Sequence, residues 1–249
     1  MKLLKTTPFI CLDCETTGLE SRHDRLVEIA VTKFNFDEIL ESYETLLDPE
    51  RPIPEVTTKI HHITDEMVKG KPKVNTILPH LLKMIGNHII IGHGIQLDIS
   101  FISEECKRSQ IPCNLHQNPL LDTLRMARLY GESPVNSLET LRKHFNIADE
   151  GAHRAMSDVI VNIEVFKYLA EGFITVEDLQ RRLEKPILLK NMPLGKHKGR
   201  PFNEVPLQYL EWATKKDFDQ DLLFSIRTEL KMRKKGQKFQ HSFNPFSNL

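Results

Sequence analysis

The sequence predicts an α/β fold with a mixed sheet, and three observations support this. Residues 8–14, LVEIAVTKFNF and ILESYETLLDP show the apolar periodicity of strands, and the short turn DE joins the last two. HIIIG is a short apolar segment, typical of a strand buried in a parallel sheet. Helical patterns and a short strand at PLLD then alternate, so we expect an antiparallel meander extended by a parallel part.

Helices are predicted for most of the remaining first 170 residues. The loop ERPIPEV leads into a helix from Thr64 to Gly86, because Thr64 followed by Asp65 and Glu66 is an N-terminal cap signal. The other helical patterns span residues 98–109, 122–130, 137–145 and 153–171. Asp122 begins one of them and is interpreted as the cap of that helix.

Length and charge indicate two units. A chain of 249 residues exceeds one domain of ordinary size, which is about 100 to 200 residues. Residues 181–249 contain 15 Lys and Arg against 7 Asp and Glu, whereas residues 1–180 contain 19 against 27. This asymmetry is typical of a nucleic-acid-binding appendage beside a metal-binding domain, and it also fits a simple surface bias. We predict a main domain over 1–180, a linker near EKPILLKNMP, a small basic domain over 187–235 and a flexible polar tail over 236–249.

The composition is typical of a globular protein of the cytoplasm. The longest apolar run, IIIGHGI, is far shorter than the roughly 20 residues of a transmembrane helix, and MKLLKTTP lacks the apolar stretch of a signal peptide. Four cysteines are too few for a disulfide scaffold in a chain of this length. No membrane association is expected.

Residues 8–18, PFICLDCETTG, contain two competing motifs. Cys11 and Cys14 form C-x-x-C, which suggests a thiolate metal site, while Asp13 and Glu15 form D-x-E, which suggests a hard cation. Side chains alternate along a strand, so the two acids share one face and the two cysteines point to opposite faces. This disfavours a thiolate site. The acids repel each other unless a cation such as Mg²⁺ lies between them, although D-x-E alone is more often an exposed pair.

Two later segments supply further candidate ligands. GHGIQLD ends at Asp98, and HRAMSD contains His153 and Asp158 near the start of a long predicted helix. Together DCETTG, GHGIQLD and HRAMSD resemble the three motifs of the DnaQ-like 3′→5′ exonucleases of the DEDDh group. The resemblance covers roughly residues 8–170 and implies a ribonuclease H-like mixed sheet flanked by helices.

The resemblance also implies a mechanism. Asp13, Glu15, Asp98 and Asp158 match the acids that hold two divalent ions, Mg²⁺ or Mn²⁺, and His153 matches the general base for the attacking water. The implied substrate is DNA with a free 3′ end, in proofreading or repair. A ribonuclease of the same group and a non-catalytic polymerase-associated module are the alternatives.

Substrate contacts follow from the same resemblance. Thr16, Thr17 and Gly18 match the turn that packs against the terminal nucleotide. His61, in KIHHITDEM, matches a histidine that borders the nucleotide. His62 stands where the family usually has glycine, which is a departure from its pattern.

Three positions in GHGIQLD complete the comparison. Gly94 replaces a typical asparagine, and Leu97, predicted to contact substrate, replaces a common phenylalanine. His93 matches a family position and is interpreted as structural rather than catalytic.

The small basic domain resembles, through PLGKHKG, the C-terminal domain of exonuclease X-like proteins. Lys196, Lys198 and Arg200 are predicted to contact phosphates, with a solvated turn as the alternative. Tyr209 and Trp212 are predicted to be core residues. The tail segment QHSFNPF faintly resembles a sliding-clamp peptide, so a DNA polymerase or a sliding clamp is the candidate protein partner.

Overall fold

The computed structural model describes residues 2–132, 135–148 and 154–242. It divides the chain into two compact units, unit 1 (Met1–Arg182) and unit 2 (Leu183–Leu249). Unit 1 contains a five-stranded sheet with helices, and unit 2 is a small helical body.

The elements follow one another in the order that the sequence predicts for a mixed α/β domain. The strands are β1 (Phe9–Thr16), β2 (Leu26–Phe34), β3 (Ile39–Leu46), β4 (Ile89–Gly92) and β5 (Leu120–Asp122). The helices are α1 (Glu55–His61), α2 (Asp65–Val68), α3 (Val74–Ile85), α4 (Gln96–Arg108), α5 (Thr123–Tyr130), α6 (Leu138–His144), α7 (Ala155–Ala170), α8 (Val176–Glu184), α9 (Leu207–Ala213) and α10 (Gln220–Ser242). Short 3₁₀ turns lie at Leu115–Gln117, Gly195–His197 and Phe202–Glu204. Although α10 has 23 residues, neither it nor any other described helix is long and apolar enough to span a membrane.

The sheet has the strand order β3-β2-β1-β4-β5. β1, β2 and β3 form an antiparallel meander, and β4 and β5 extend it in parallel, so the predicted mixed sheet is confirmed. β4 pairs with β1 only as far as Cys11, which lies opposite Ile91. The C-terminal half of β1 is therefore unpaired on that side of the sheet.

Aromatic packing fixes α7 on the face of β1 and β2. The ring of Phe166 on α7 lies edge-on to Phe9 of β1 at 5.2 Å and to Phe34 of β2 at 6.1 Å. All three side chains are fully buried. Because Phe9 and Asp13 are four residues apart on one strand, the face that α7 covers is also the face of Asp13.

The continuous helix predicted from Thr64 to Gly86 is wrong. α2 and α3 are separated by residues 69–73, in which Gly70 has a φ of 75° and Pro72 lacks an amide donor. A further helix, α1, begins at Glu55 within the predicted loop ERPIPEV and ends before Thr64. Apolar periodicity carried the prediction across the break because residues on both sides of it are buried.

Unit 2 has its own apolar core. Its buried members are Met192, Phe202, Val205, Leu210, Ala213, Leu222 and Ile226. The segment predicted as a linker is bonded to α10, since Ile187 N–H donates to Asp221 at 3.0 Å and Leu189 N–H donates to Ser225 Oγ at 2.8 Å. A single apolar core therefore packs together the segments that precede and follow the two 3₁₀ turns of unit 2.

The surface of unit 2 differs from the prediction at one aromatic residue. Tyr209 packs against the core as predicted, but Trp212 is 47% exposed, so its prediction as a core residue is wrong. Helix α10 includes residues 236–242, which the sequence analysis assigned to the tail. Residues 243–249, with most of QHSFNPF, lie outside the described residues.

We predict that Phe166→Ala lowers the free energy of unfolding of unit 1 by about 3–5 kcal/mol, because it leaves a cavity between α7 and the sheet. Chemical denaturation monitored by circular dichroism measures the loss. Tyr168→Ala on the same helix is the control, since Tyr168 is 49% exposed. An equal loss in both variants would contradict the assigned role of the phenylalanine cluster.

Candidate active site

Three carboxylates meet at the C-terminal end of β1. Asp13 and Glu15 leave the strand on one face, and Asp158 comes from the first turn of α7, which covers that face. One oxygen of each of the three residues lies within 4.8 Å of the other two. Oxygen ligands so close together are the type that Mg²⁺ and Mn²⁺ prefer.

These acids bind protons more strongly than ordinary carboxylates. Burial, and then the charges of Asp98 and Asp158, raise the pKa of Asp13 well above its usual range. Burial and the charge of Asp158 raise the pKa of Glu15 to about 8. Like charges held together away from water produce such shifts, and a divalent cation relieves them by displacing the protons. The donor set therefore fits a divalent ion.

Asp98 adjoins the three carboxylates but has its own partner. It is buried in the first turn of α4, where its carboxylate accepts hydrogen bonds from the Cys14 N–H and thiol. β4 ends before it reaches Cys14, so the Cys14 N–H bonds to the Asp98 carboxylate instead of to a neighbouring strand. Burial raises the pKa of Asp98 to about 7. The carboxylate is thus preorganised beside Asp13.

His153 lies outside the described residues, but the residues that follow it are well defined. The carboxylate of Glu28 on β2 accepts the Ala155 N–H at 3.0 Å, at the start of α7. Arg154 donates to the same carboxylate through Nε at 3.1 Å and Nη2 at 2.6 Å. Glu28, which lies opposite Glu15 in the strand register, therefore caps the helix that carries the third carboxylate.

Sequence analysis missed Glu28. The available signal was an acid within a strand whose other residues are nearly all buried and apolar, which a structure tolerates only when the charge is paired. Glu28 is 3% exposed, and Arg154 supplies that pair.

Hydrogen-bonded polar groups lie beneath the carboxylates. Thr123 Oγ1 is 2.6 Å from Asn162 Oδ1 and 3.1 Å from His93 Nδ1. His93 Nε2 donates to Asn136 O at 2.8 Å. Asn162 also hydrogen-bonds the thiol of Cys11, on the face opposite Cys14 as strand alternation predicts. Both ring nitrogens of His93 are thus used within the fold.

The turn after β1 is closed by its own side chains. Thr17 N–H donates to Arg25 O at 2.9 Å, and Arg25 N–H donates to Thr17 Oγ1 at 3.0 Å. The Thr16 hydroxyl donates to Gly18 O at 2.5 Å. A Cβ on Gly18 would lie 2.2 Å from Asp24 Oδ2, which accepts the Glu20 N–H, so a side chain there would displace this carboxylate. The predicted nucleotide contacts of this turn rest on a rigid backbone.

Two departures from the family pattern have left-handed backbone. His62 ends α1 with a φ of 60°, and Gly94 has a φ of 76°. Glycine adopts this region at no steric cost, and asparagine is the next best residue. The backbone at position 62 would therefore suit the glycine that the family usually has there, and the backbone at position 94 would suit the usual asparagine. Gly94 N–H and Leu124 N–H both donate to Asp122, which confirms Asp122 as a cap.

Two predicted substrate contacts lie close to these turns. His61 is buried, and its Nδ1 accepts the Ile63 N–H at 3.0 Å. Its Nε2 interacts with the backbone of Thr16 but makes no hydrogen bond of good geometry within the described part of the chain. Leu97, beside Asp98, is 42% exposed. Leu97 is thus open to a ligand, whereas His61 is covered by the fold.

The three cations predicted to contact phosphates are in unit 2. Lys196, Lys198 and Arg200 are all exposed in the loop that includes the 3₁₀ turn Gly195–His197. They are therefore accessible to a polyanion.

Sequence comparison relates both units to known families. A sequence model of RNase T-type exonucleases, described as "Exonuclease", matches residues 10–166. A second family model, described as a putative quorum-sensing-regulated virulence factor, matches residues 180–236.

The DNA polymerase III subunit epsilon of Aquifex aeolicus is 31% identical over 164 residues, which are 66% of this chain and 80% of that protein. A PolC-type DNA polymerase III of Clostridium perfringens is 33% identical over 161 residues, which are 64% of this chain. The chain spans about a tenth of that polymerase, 11% of its length.

Solved structures with the same fold include two exonucleases. Exonuclease X in complex with 5′-overhanging duplex DNA has a TM-score of 0.56 and 24% identity, over 70% of this chain and 99% of that one. A zinc-bound complex of E. coli ExoI with single-stranded DNA has a TM-score of 0.62 and 20% identity, over 71% of this chain and 42% of that one. The predicted ribonuclease H-like fold is thereby confirmed.

We predict that metal-free protein loses stability as pH rises from about 5 to 8, because Glu15 binds a proton up to about pH 8 in the folded state and only up to its ordinary value of 4.5 when unfolded. Added Mg²⁺ or Mn²⁺ raises the melting temperature, and the increase grows over the same pH range. Thermal denaturation in EDTA and in each metal measures both effects.

Asp13→Asn should raise the metal-free melting temperature at pH 8, because it removes a charge from the cluster, and should greatly reduce the metal-dependent increase. Glu41→Gln is the control, because Glu41 is an exposed residue of β3 that lies opposite Lys33 in the strand register, at the other end of the sheet. A metal-dependent increase that persists unchanged in Asp13→Asn would place the ion elsewhere.

Proposed function

The chain belongs to the DnaQ-like exonuclease family, and from that premise we propose that it is a metal-dependent 3′→5′ exonuclease acting on DNA. The observation that carries the proposal is the convergence of Asp13, Glu15 and Asp158 within 4.8 Å, on a site whose acids require a cation. Asp98 is held beside them by Cys14.

The residues divide the reaction between them. Asp13, Glu15, Asp98 and Asp158 would hold two divalent ions, which supply positive charge for the attacking and leaving oxygens of the phosphodiester. His153 is proposed to accept the proton of the attacking water, because an imidazole changes its charge near neutral pH. The role of the chain is to keep four acids preorganised and one base beside them.

The terminal nucleotide is proposed to contact the residues around the mouth of the site. His61, whose Nε2 is buried beside the backbone of Thr16, is proposed to border the nucleotide. Leu97 offers an exposed apolar surface beside the acids. Thr16, Thr17 and Gly18 would pack their rigid turn against the sugar.

DNA is the favoured substrate because the relatives that match unit 1 are named as DNA polymerase III proteins. RNA cleavage by the same acids is the second candidate, since the metal site itself does not distinguish the sugars. Association with a DNA polymerase or a sliding clamp is a further proposal from the same names. A non-catalytic module is disfavoured, because a chain without catalysis gains nothing from clustered acids that repel one another.

We predict that the protein shortens 5′-labelled single-stranded DNA to a ladder of products in the presence of Mg²⁺ or Mn²⁺, and that EDTA stops the reaction. Matched duplex DNA and RNA of the same sequence identify the preferred substrate in one time course. Asp13→Ala should abolish all products, and Glu41→Gln should retain them. Early release of the labelled 5′ nucleotide would contradict the proposed polarity, and activity in EDTA would contradict the metal dependence.

Glu28→Ala is predicted to reduce kcat by about tenfold to a hundredfold with little change in KM, because it releases the start of α7 and the segment next to His153. Glu28→Gln should recover part of the loss, since an amide oxygen can still accept the Ala155 N–H. Steady-state kinetics on the preferred substrate measures both.

Glu164→Ala is the matched control for that experiment, because it removes an ion pair with Lys167 on the same helix at 3.0 Å. It should leave kcat unchanged. A wild-type kcat in Glu28→Ala would show that the cap of α7 has no influence on the chemistry.

A further inference from the structure

A row of three aromatic rings in unit 2 runs from the half-buried His197 and Tyr209 to the exposed Trp212. The centroids of His197 and Tyr209 are 4.6 Å apart, and those of Tyr209 and Trp212 are 5.2 Å apart. Trp212, at the end of the row, is 47% exposed. A large aromatic surface left open to solvent in this way is typical of a ligand contact.

Lysine side chains extend over two of these rings. Lys196 Nζ lies 5.2 Å from the centroid of Tyr209, and Lys216 Nζ lies 5.0 Å from that of Trp212. After burial, the charges of Lys196 and Arg200 are the causes that lower the pKa of His197, so Arg200 is also near the row. None of these three cations makes an ion pair with a carboxylate that the structure describes. Their charge is available to a ligand.

The backbone of the loop 192–200 holds the row rigid. Met192 N–H donates to Arg200 O, and Gly199 N–H donates to Met192 O, both at 2.8 Å. Gly195 has a φ of 72°, and a Cβ at this position would lie 2.6 Å from the Tyr209 hydroxyl. Glycine therefore lets the loop pack directly against Tyr209, so ring and cation are positioned before any ligand binds.

We propose that this row is a second nucleic-acid site, which binds single-stranded DNA by stacking a base on the exposed Trp212, with Tyr209 packed behind it, while the neighbouring cations bind phosphates. Aromatic faces next to cations match the alternation of bases and phosphates along a single strand. Duplex DNA keeps its bases stacked on one another and cannot use the rings. The acid on α9, Glu211, is one residue from Trp212 and two from Tyr209, spacings at which helical side chains do not face each other.

This inference extends the proposed function and the phosphate contacts that the sequence predicts for the loop, but binding at the row needs no catalysis. It also gives Trp212 and Tyr209 a role that the sequence analysis did not foresee. The proposed ligand is a single strand with accessible bases. It can have any sequence, because every base has an aromatic face.

The full chain in EDTA tests the proposal directly, because Trp212 is the only tryptophan in the sequence. Its fluorescence is expected to fall saturably when an oligothymidylate of about 16 nucleotides is added, a length that fills one stacking groove. A terminal 3′-phosphate on the oligonucleotide denies the exonuclease site its free 3′ end. An abasic strand of equal length should leave the fluorescence nearly unchanged.

Variants separate stacking from charge. Trp212→Leu should weaken binding of a labelled strand, measured by anisotropy, by about fivefold to a hundredfold, while Trp212→Phe keeps most of the affinity. Lys216→Ala should make the slope of log affinity against log salt concentration shallower by about the amount expected for one phosphate contact. Lys231→Ala, which removes one exposed cation of α10, is the charge-matched control and should have little effect.

The outcomes are distinct. Unchanged fluorescence with every strand, equal quenching by the abasic strand, or equal effects of Lys216→Ala and Lys231→Ala would each overturn the inference, and the first would leave the row to a protein partner. Quenching without any DNA degradation in Mg²⁺ would support the row and reject the proposed exonuclease. Degradation without quenching would do the reverse.

Discussion

The repulsion among half-buried acids at the end of β1 is the constraint on which the rest of the site depends. Asp13 and Glu15 are on the same strand face by geometry, and α7 brings Asp158 against them. Holding them together without a cation is unfavourable, as the raised pKa values of Asp13 and Glu15 indicate. The fold must therefore provide stability elsewhere, and it does so through the fully buried phenylalanine cluster that fixes α7 to the sheet.

Glu28 shows how a further acid is tolerated beside Asp13, Glu15 and Asp158. Its negative charge raises the pKa of Glu15, whereas Arg154 lowers it. The carboxylate is satisfied by Arg154 and by the Ala155 N–H, and it also interacts favourably with the positive end of α7. The same group thus orders the segment next to the proposed base without requiring a metal ion of its own.

At the candidate site, sequence reasoning succeeded where the determinant is local and failed where it is distant. Strand alternation alone placed Asp13 and Glu15 together, because the period of a strand depends on nothing else. Glu28 escaped because its partner Arg154 is 126 residues away, and no local pattern encodes that contact. Trp212 was misassigned for a related reason. An aromatic residue in a short helix has the same sequence pattern whether the helix face is covered or open, and only the packing of the whole unit decides.

The two units approach a polyanion by opposite electrostatic means. The acids proposed as ligands in unit 1 would repel a phosphodiester until cations neutralise them, so binding there would depend on the metal as well as on the substrate. The exposed cations of unit 2 attract the same backbone directly and are weakened only by salt. The net charge of zero therefore conceals two complementary surfaces. A chain built in this way can hold a strand through unit 2 under conditions in which its acids are still protonated or free of metal.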